Sequence, residues 1–281
     1  MKNIFKFFSM IAVTMLLGFS MAACNSSSTS QSGANGGGGG NDGGSHDSAG
    51  GNSNASPGMP NGNSGIVGVW LSSYIIGTAG IEWRYFVFYD DGTFRFSLPQ
   101  NGFVGFDKEQ DKIARQEDNI WGTYTMNGST GTWSYDASPN AVSQMNLAEN
   151  GGLDLGTSYN VFYRCSSVDD VRFDGSYTSY ANPSDPALSN PGQRPVIHFK
   201  SDGTFVDDGL YATVYVLCPN HDTTQCAPGS GTYQLKDYTL ILSYSDGRTN
   251  QTAFTFSYGP NSTALSGIVI VDDGLQLNQM P

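Results

Sequence analysis

The chain is poor in charge, and poorest in positive charge. Of its 281 residues 14% are charged, and 25 acids stand against 13 Lys and Arg, for a formal net charge of −12. Nucleic-acid binding draws on a basic surface that neutralises phosphates, so the composition argues against it. Histidine is scarcer still, with His46, His198 and His221 alone. No Gly-x-Ser-x-Gly elbow, His-Glu-x-x-His pair or phosphate loop occurs, which removes the readable signatures of hydrolases, zinc proteases and nucleotide enzymes. Helical periodicity is missing except over Asp107 to Asp118, a stretch too polar for a core helix. No apolar run reaches the ~20 residues of a spanning helix.

What the chain has is glycine and aromatics: 36 Gly, 15 Tyr, 16 Phe and 4 Trp. That profile belongs to a turn-rich β protein with polar, uncharged faces.

At the N-terminus Lys2 and Lys6 precede an apolar run from Ile11 to Phe19, which ends in small residues before Cys24. That order is a secretory signal peptide over residues 1–23. The junction Met21-Ala22-Ala23-Cys24 resembles the lipobox of bacterial lipoproteins. The resemblance implies cleavage before Cys24, acylation of its thiol and attachment to a membrane through that lipid. Asn25 stands where an Asp would, by the same resemblance, favour inner-membrane retention, so the outer membrane is the expected location, facing the periplasm or the surface. Loss of residues 1–23 removes two lysines and takes the mature charge to −14. Residues 24–65 then read as a tether: Gly36 to Gly40 form one block and no aromatic residue occurs from 25 to 65. Such a segment cannot build a core and spans about 35 Å as a coil. His46 within it reads as solvated.

From Gly65 onward the chain repeats. Gly68-Val69-Trp70 returns as Gly175-Ser176-Tyr177, Phe88-Tyr89-Asp90-Asp91-Gly92-Thr93-Phe94 as Phe199-Lys200-Ser201-Asp202-Gly203-Thr204-Phe205, and Gly122-Thr123-Tyr124 as Gly231-Thr232-Tyr233. The offsets are 107, 111 and 109, so order and spacing both survive. Each Asp-Gly pair supplies the positive φ of a tight hairpin. Strand alternation puts Phe86, Phe88, Ile197 and Phe199 inside, and turns Tyr85, Val87, Tyr89, Val196, His198 and Lys200 toward solvent. Tyr238-Leu240-Leu242-Tyr244 and Phe254-Phe256-Tyr258 read as two further half-buried strands. Counting such runs gives about eight strands per copy.

These signatures resemble the lipocalin-like domains of many bacterial lipoproteins. The resemblance implies an all-β chain with two tandem antiparallel β-barrels, over 66–169 and 170–281, each closing on itself. Clean alternation is poor in copy one after Trp133, where Ala137 to Asn150 is polar and small, so that barrel is the less complete on paper.

Three cysteines follow Cys24. Cys218 and Cys226 close a short loop in an exported chain and are expected to form a disulfide. A zinc site from Cys218, His221, Asp222 and Cys226 is the alternative, without the paired spacing of structural zinc ligands. Cys165, in line with Val161 and Tyr163, is expected to be a buried free thiol. The triplets Asp90-Asp91-Gly92, Asp207-Asp208-Gly209 and Asp272-Asp273-Gly274 suggest calcium, but none has the ligand order of a dedicated loop, and hairpin turns account for them. No metal, cofactor or catalytic residue is assigned. Function is expected where the copies differ: Phe103-Val104-Gly105-Phe106 and the charged run Asp107 to Asp118 in copy one, the cysteine loop in copy two. The expected role is a non-catalytic binding or surface module for a small hydrophobic ligand or an envelope or extracellular partner. Its competitor is an exported hydrolase with an acidic active site that carries no known motif.

Overall fold

The computed structural model describes residues 59–60, 65–75, 81–157, 161–179, 195–213, 226–256, 268–271 and 275–280. Cys24 and the rest of residues 1–58 lie outside them, as do Cys218, His221, Asp222, Tyr258 and the triplet at 272–274.

The described strands form two antiparallel barrels, each closed within its own copy of the repeat. In the first, β1 (Gly68–Ile75), β2 (Ile81–Phe88), β3 (Thr93–Phe96), β4 (Trp121–Asn127), β5 (Thr130–Tyr135), β6 (Ser143–Leu147), β7 (Gly152–Asp154) and β8 (Phe162–Arg164) are neighbours in chain order. Helix α1 (Lys108–Ala114) lies between β3 and β4, in the one stretch with helical character. Three short strands, β6 to β8, carry the polar end of copy one back to β1, where Trp70 faces Arg164. In the second, β9 (Gly175–Ser179), β10 (Ile197–Phe199), β11 (Thr204–Asp207), β12 (Gly229–Lys236), β13 (Thr239–Tyr244), β14 (Thr249–Phe256), β15 (Ile268–Val271) and β16 (Leu275–Gln279) follow in order, with α2 (Leu210–Thr213) after β11. β9 pairs with both β10 and β16. Closure leaves neither sheet an unpaired edge.

The repeated motifs are repeated hydrogen bonds. Gly92 and Gly203 adopt φ of 80° and 87° at the hairpin tips. Asp91 and Asp202 each accept from the backbone N–H and the hydroxyl of the Thr two residues on, at 3.1 and 2.6 Å and at 2.9 and 2.6 Å. The tyrosines of Gly-Thr-Tyr then tie the next strand to the same turn. Tyr124 donates its backbone N–H to Gly92 O and its hydroxyl to Tyr89 O; Tyr233 does the same to Gly203 O and Lys200 O. The glycine of that motif is steric, since a Cβ on Gly231 would stand 1.9 Å from Ser243 O.

Both interiors are filled by side chains. The first holds Trp70, Phe86, Phe88, Phe94, Trp133 and Phe162 with Met145 and Leu153. Phe86 alone meets four aromatic rings within 5.6 Å. The second holds Phe173, Tyr177, Phe199, Phe205, Tyr233 and Phe254 among its buried residues. The alternation that placed Phe86, Phe88, Ile197 and Phe199 inside is correct.

The opposite face corrects the expectation for copy one. Tyr85, Val87 and Tyr89 are not on the solvent side but buried, at 2%, 0% and 2% exposure, together with Val69 and Leu71. They belong to one continuous apolar cluster with the second barrel. The physical reason is a seam between the barrels: the outer face of β1 and β2 packs on the outer face of β13 and β14, where Thr239, Ala253 and Thr255 are fully buried. Burying such side chains contributes about 1.5–3 kcal/mol for each large apolar one. Copy two behaves as expected, with His198 half-buried and Lys200 exposed. The connector also docks on the second barrel. Val168 and Phe173 are fully buried, Asp237 N donates to Asp169 Oδ1 at 2.7 Å and Tyr238 Oη to Cys165 O at 3.0 Å. Ahead of β1, Met59 packs against the same cluster and Pro60 is buried.

Candidate functional site

Of the cysteines singled out by sequence, Cys24 and Cys218 fall outside the described residues. Cys226 is fully buried and is not free. Cys165 is the free cysteine among the described residues. It continues the outer line of Val161 and Tyr163, which are exposed, and is half-buried rather than buried, packed against the cluster shared with the second barrel. Burial pushes its thiol well above the ordinary value, which disfavours the thiolate that a nucleophile needs.

The acidic triplets separate into two kinds. Asp91 is a hairpin residue as expected. Partial desolvation works to raise its pKa, but bonds from Lys108 and Thr93 outweigh it and hold the carboxyl at about 2. Its two oxygens are thereby committed within the fold. Asp207 is not in a hairpin turn, which corrects the sequence reading. It shares the inward side of β11 with Phe205, is 1% exposed, and accepts from Gly209 N at 3.0 Å, Leu210 N at 2.7 Å and Tyr244 Oη at 2.9 Å. Desolvation raises its pKa against those bonds. Its neighbour Asp208 is exposed and turns to His198. Among the described residues no three His, Cys, Asp or Glu converge as a metal site would require.

One arrangement was missed in the sequence. Ser176 Oγ lies 2.7 Å from His198 Nδ1, and His198 Nε2 lies 3.1 Å from Asp208 Oδ2. The order is that of nucleophile, base and orienting acid. The signal was in the repeat, because Val69 opposite Val87 in copy one becomes Ser176 opposite His198 in copy two. The surroundings are less suited to catalysis. The group lies on a convex outer barrel face, with the His198 and Asp208 side chains 40% and 60% exposed. Water exclusion and donors aimed at a developing oxyanion carry most of such a rate enhancement.

A concave feature lies elsewhere among the described residues, in the copy-one insertion that the sequence marked as variable. A solvent-open groove of about 640 Å³ runs between the loop after β3 and α1, and Gln251 of β14 closes it from the second barrel. Asp107 caps α1 by accepting from Gln110 N at 3.0 Å. Gly102, with φ 74°, lets the loop press onto Thr239, whose Oγ1 accepts from Phe103 N at 2.8 Å and Val104 N at 3.1 Å. Gln100 O accepts from Ala253 N at 2.9 Å. The groove thus lies where the copy-one loop and helix meet β14 of the second barrel.

Arg95 is its fixed wall. The residue is 2% exposed; its Nε donates to Asp111 Oδ2 at 2.9 Å and its Nη1 to Ser97 O at 2.6 Å. Among the described residues nothing bonds Nη2. Asp111 also accepts from Trp121 Nε1 at 2.9 Å and pairs with Arg115 at 3.4 Å, while Arg115 reaches Asp118 at 3.1 Å. Gln100, Asn101, Asp107, Gln110 and Gln251 add to the polar lining, and Val104 and Phe106 to the apolar part. A lone Arg between Phe94 and Phe96 in a strand was the sequence signal for this wall, together with Asp111 in the one helical stretch.

Comparison with known proteins finds no matching family model, no matching curated protein and no matching solved structure. Among the described residues no helix is long and apolar enough to cross a membrane.

Proposed function

We propose that the chain is a lipid-anchored lipoprotein of the bacterial envelope that acts as a non-catalytic binding module. In this reading Cys24 carries the lipid on the outer membrane and the tether over residues 24–65 carries the barrels away from it. The observation that supports binding is the groove at the barrel junction, since concave sites with a few fixed polar groups are the usual ligand sites. Both barrel interiors are packed, so recognition is assigned to the groove and not to a lumen. The disulfide between Cys218 and Cys226 belongs to this reading too, supported by a Cys226 that is buried and not free beside a free Cys165. It would staple the copy-two loop by about 2–3 kcal/mol.

Two measurements test the reading. Cys24→Ser should release the protein to the soluble fraction or leave it uncleaved, and unchanged, detergent-dependent fractionation would remove the anchor. Incubation with an envelope extract, followed by mass spectrometry of what stays bound, should recover a compound that Gln110→Ala with Gln251→Ala fails to retain. Equal recovery by both proteins would remove the groove.

The Ser176–His198–Asp208 line favours a second reading, an exported hydrolase that forms an acyl-enzyme on Ser176. A fluorophosphonate probe decides it: labelling that Ser176→Ala abolishes supports the hydrolase, and no labelling above that variant rejects a serine nucleophile here.

A further inference from the structure

We propose that the groove binds an uncharged saccharide, an inference that rests on the groove being the binding site. Charge is the first argument. The two guanidinium groups at the groove, Arg95 and Arg115, are matched by the carboxylates of Asp111 and Asp118, so no positive surplus remains to hold an anion. The chain as a whole carries −12 and repels one. The Asp107 carboxylate also lines the groove, but it caps α1 through Gln110 N, and both oxygens of Asp111 are engaged by Arg95, Trp121 and Arg115, so a cation finds no pair of unbonded carboxylates beside the two guanidinium groups.

What remains is donor and acceptor capacity without net charge. Gln100, Asn101, Gln110 and Gln251 each present an amide that donates and accepts. Saccharide hydroxyls also do both, so each can be satisfied in either sense. The unbonded Nη2 of the buried Arg95 adds a fixed donor, held in place because the other guanidinium nitrogens are committed to Asp111 and to backbone carbonyls. Phe106, with Val104 beside it, gives the apolar patch on which the C–H face of a sugar ring packs. Phe103 braces the Phe106 ring edge-on at 5.7 Å. Peptide recognition fits less well: closed barrels offer no strand edge for augmentation, and the apolar part of the lining is confined to Pro99, Val104, Phe106 and Ala114.

The test is calorimetric titration of the purified protein with maltotetraose, cellotetraose, xylotetraose, mannotetraose and galactotetraose, beside tetragalacturonate and tetra-alanine. At least one neutral tetrasaccharide should bind. Gln110→Ala with Gln251→Ala should weaken it by about tenfold, the loss of two hydrogen bonds, with the melting temperature unchanged because neither side chain is in a core. Failure of every neutral tetrasaccharide, or affinity that the double variant leaves intact, overturns the proposal. Binding of tetragalacturonate alone, lost in the double variant, overturns the assignment to an uncharged ligand, and binding of tetra-alanine alone, lost likewise, overturns the saccharide assignment, while in either case the groove stands as the site.

Discussion

The hydroxyl of Tyr85, on the outer face of β2, lies 2.8 Å from Thr255 Oγ1 on β14, and this buried bond joins the two barrels across 170 residues of chain. Burial also pushes the Tyr85 phenol well above its ordinary value, so the group stays a neutral hydroxyl. Tyr85→Phe leaves Thr255 Oγ1 without that partner and is expected to cost about 1–2 kcal/mol. Because the seam is shared, the barrels should unfold together. All 4 Trp residues lie in the first copy, so tryptophan fluorescence reports one barrel while far-UV circular dichroism reports both. Coincident curves are expected in urea, and two separated midpoints would sink the shared seam.

The seam also explains what sequence did and did not disclose. The hairpins, the inward Phe pairs and the closure of each copy were legible, because each depends on local alternation and turn chemistry that repeat at near-constant offsets. The outer face of copy one was not. Tyr85, Val87 and Tyr89 alternate as a solvent face would, and only their apolar character, set against Val196, His198 and Lys200, hinted at a covering partner. The groove was half legible. Its loop and helix stood out as an insertion, but Gln251 comes from the other barrel and no spacing in the chain announces that contact.

Gly102 is the second point at which the seam can be tested. A Cβ there would stand 2.2 Å from Thr239 Oγ1, and the φ of 74° already disfavours any other residue. Gly102→Ala is expected to cost about 2–4 kcal/mol from backbone strain and overpacking. It should also displace the loop whose Phe103 and Val104 N–H groups bond Thr239. Hydrogen exchange checks this directly: those two amides should lose protection while the amides of β5 keep theirs.

Asp111 holds the groove wall, so its removal should be felt in stability before it is felt in binding. Asp111→Ala strands the buried Arg95 charge and the Trp121 indole N–H, and is expected to cost about 3 kcal/mol. Replacing both partners, Arg95→Met with Asp111→Leu, should recover most of that loss, since an apolar pair avoids the desolvation of two charges. Chemical denaturation of the two variants separates the outcomes. A double variant no more stable than Asp111→Ala would mean that the ion pair is not the origin of the cost.

Asp207 gives the fold its own pH dependence. Its carboxyl is buried inside the second barrel, and desolvation raises its pKa above the unfolded value in spite of the bonds from Tyr244, Gly209 and Leu210. A raised folded pKa means that the folded state binds a proton more readily than the unfolded chain. The stability this contributes is full below the unfolded pKa, near 4, and is lost as pH rises through the folded value. Asp91, held at about 2, acts oppositely, losing its contribution as pH falls from 4 toward 2, so the two windows do not overlap. Asp207→Asn keeps an oxygen for Gly209 and Leu210 but does not titrate. The stability of the wild type relative to this variant should therefore decline as pH rises from 4 toward 7, measured by urea denaturation at each pH. A difference that stays flat, or that grows with pH, would show that the Asp207 carboxyl is not the group that titrates.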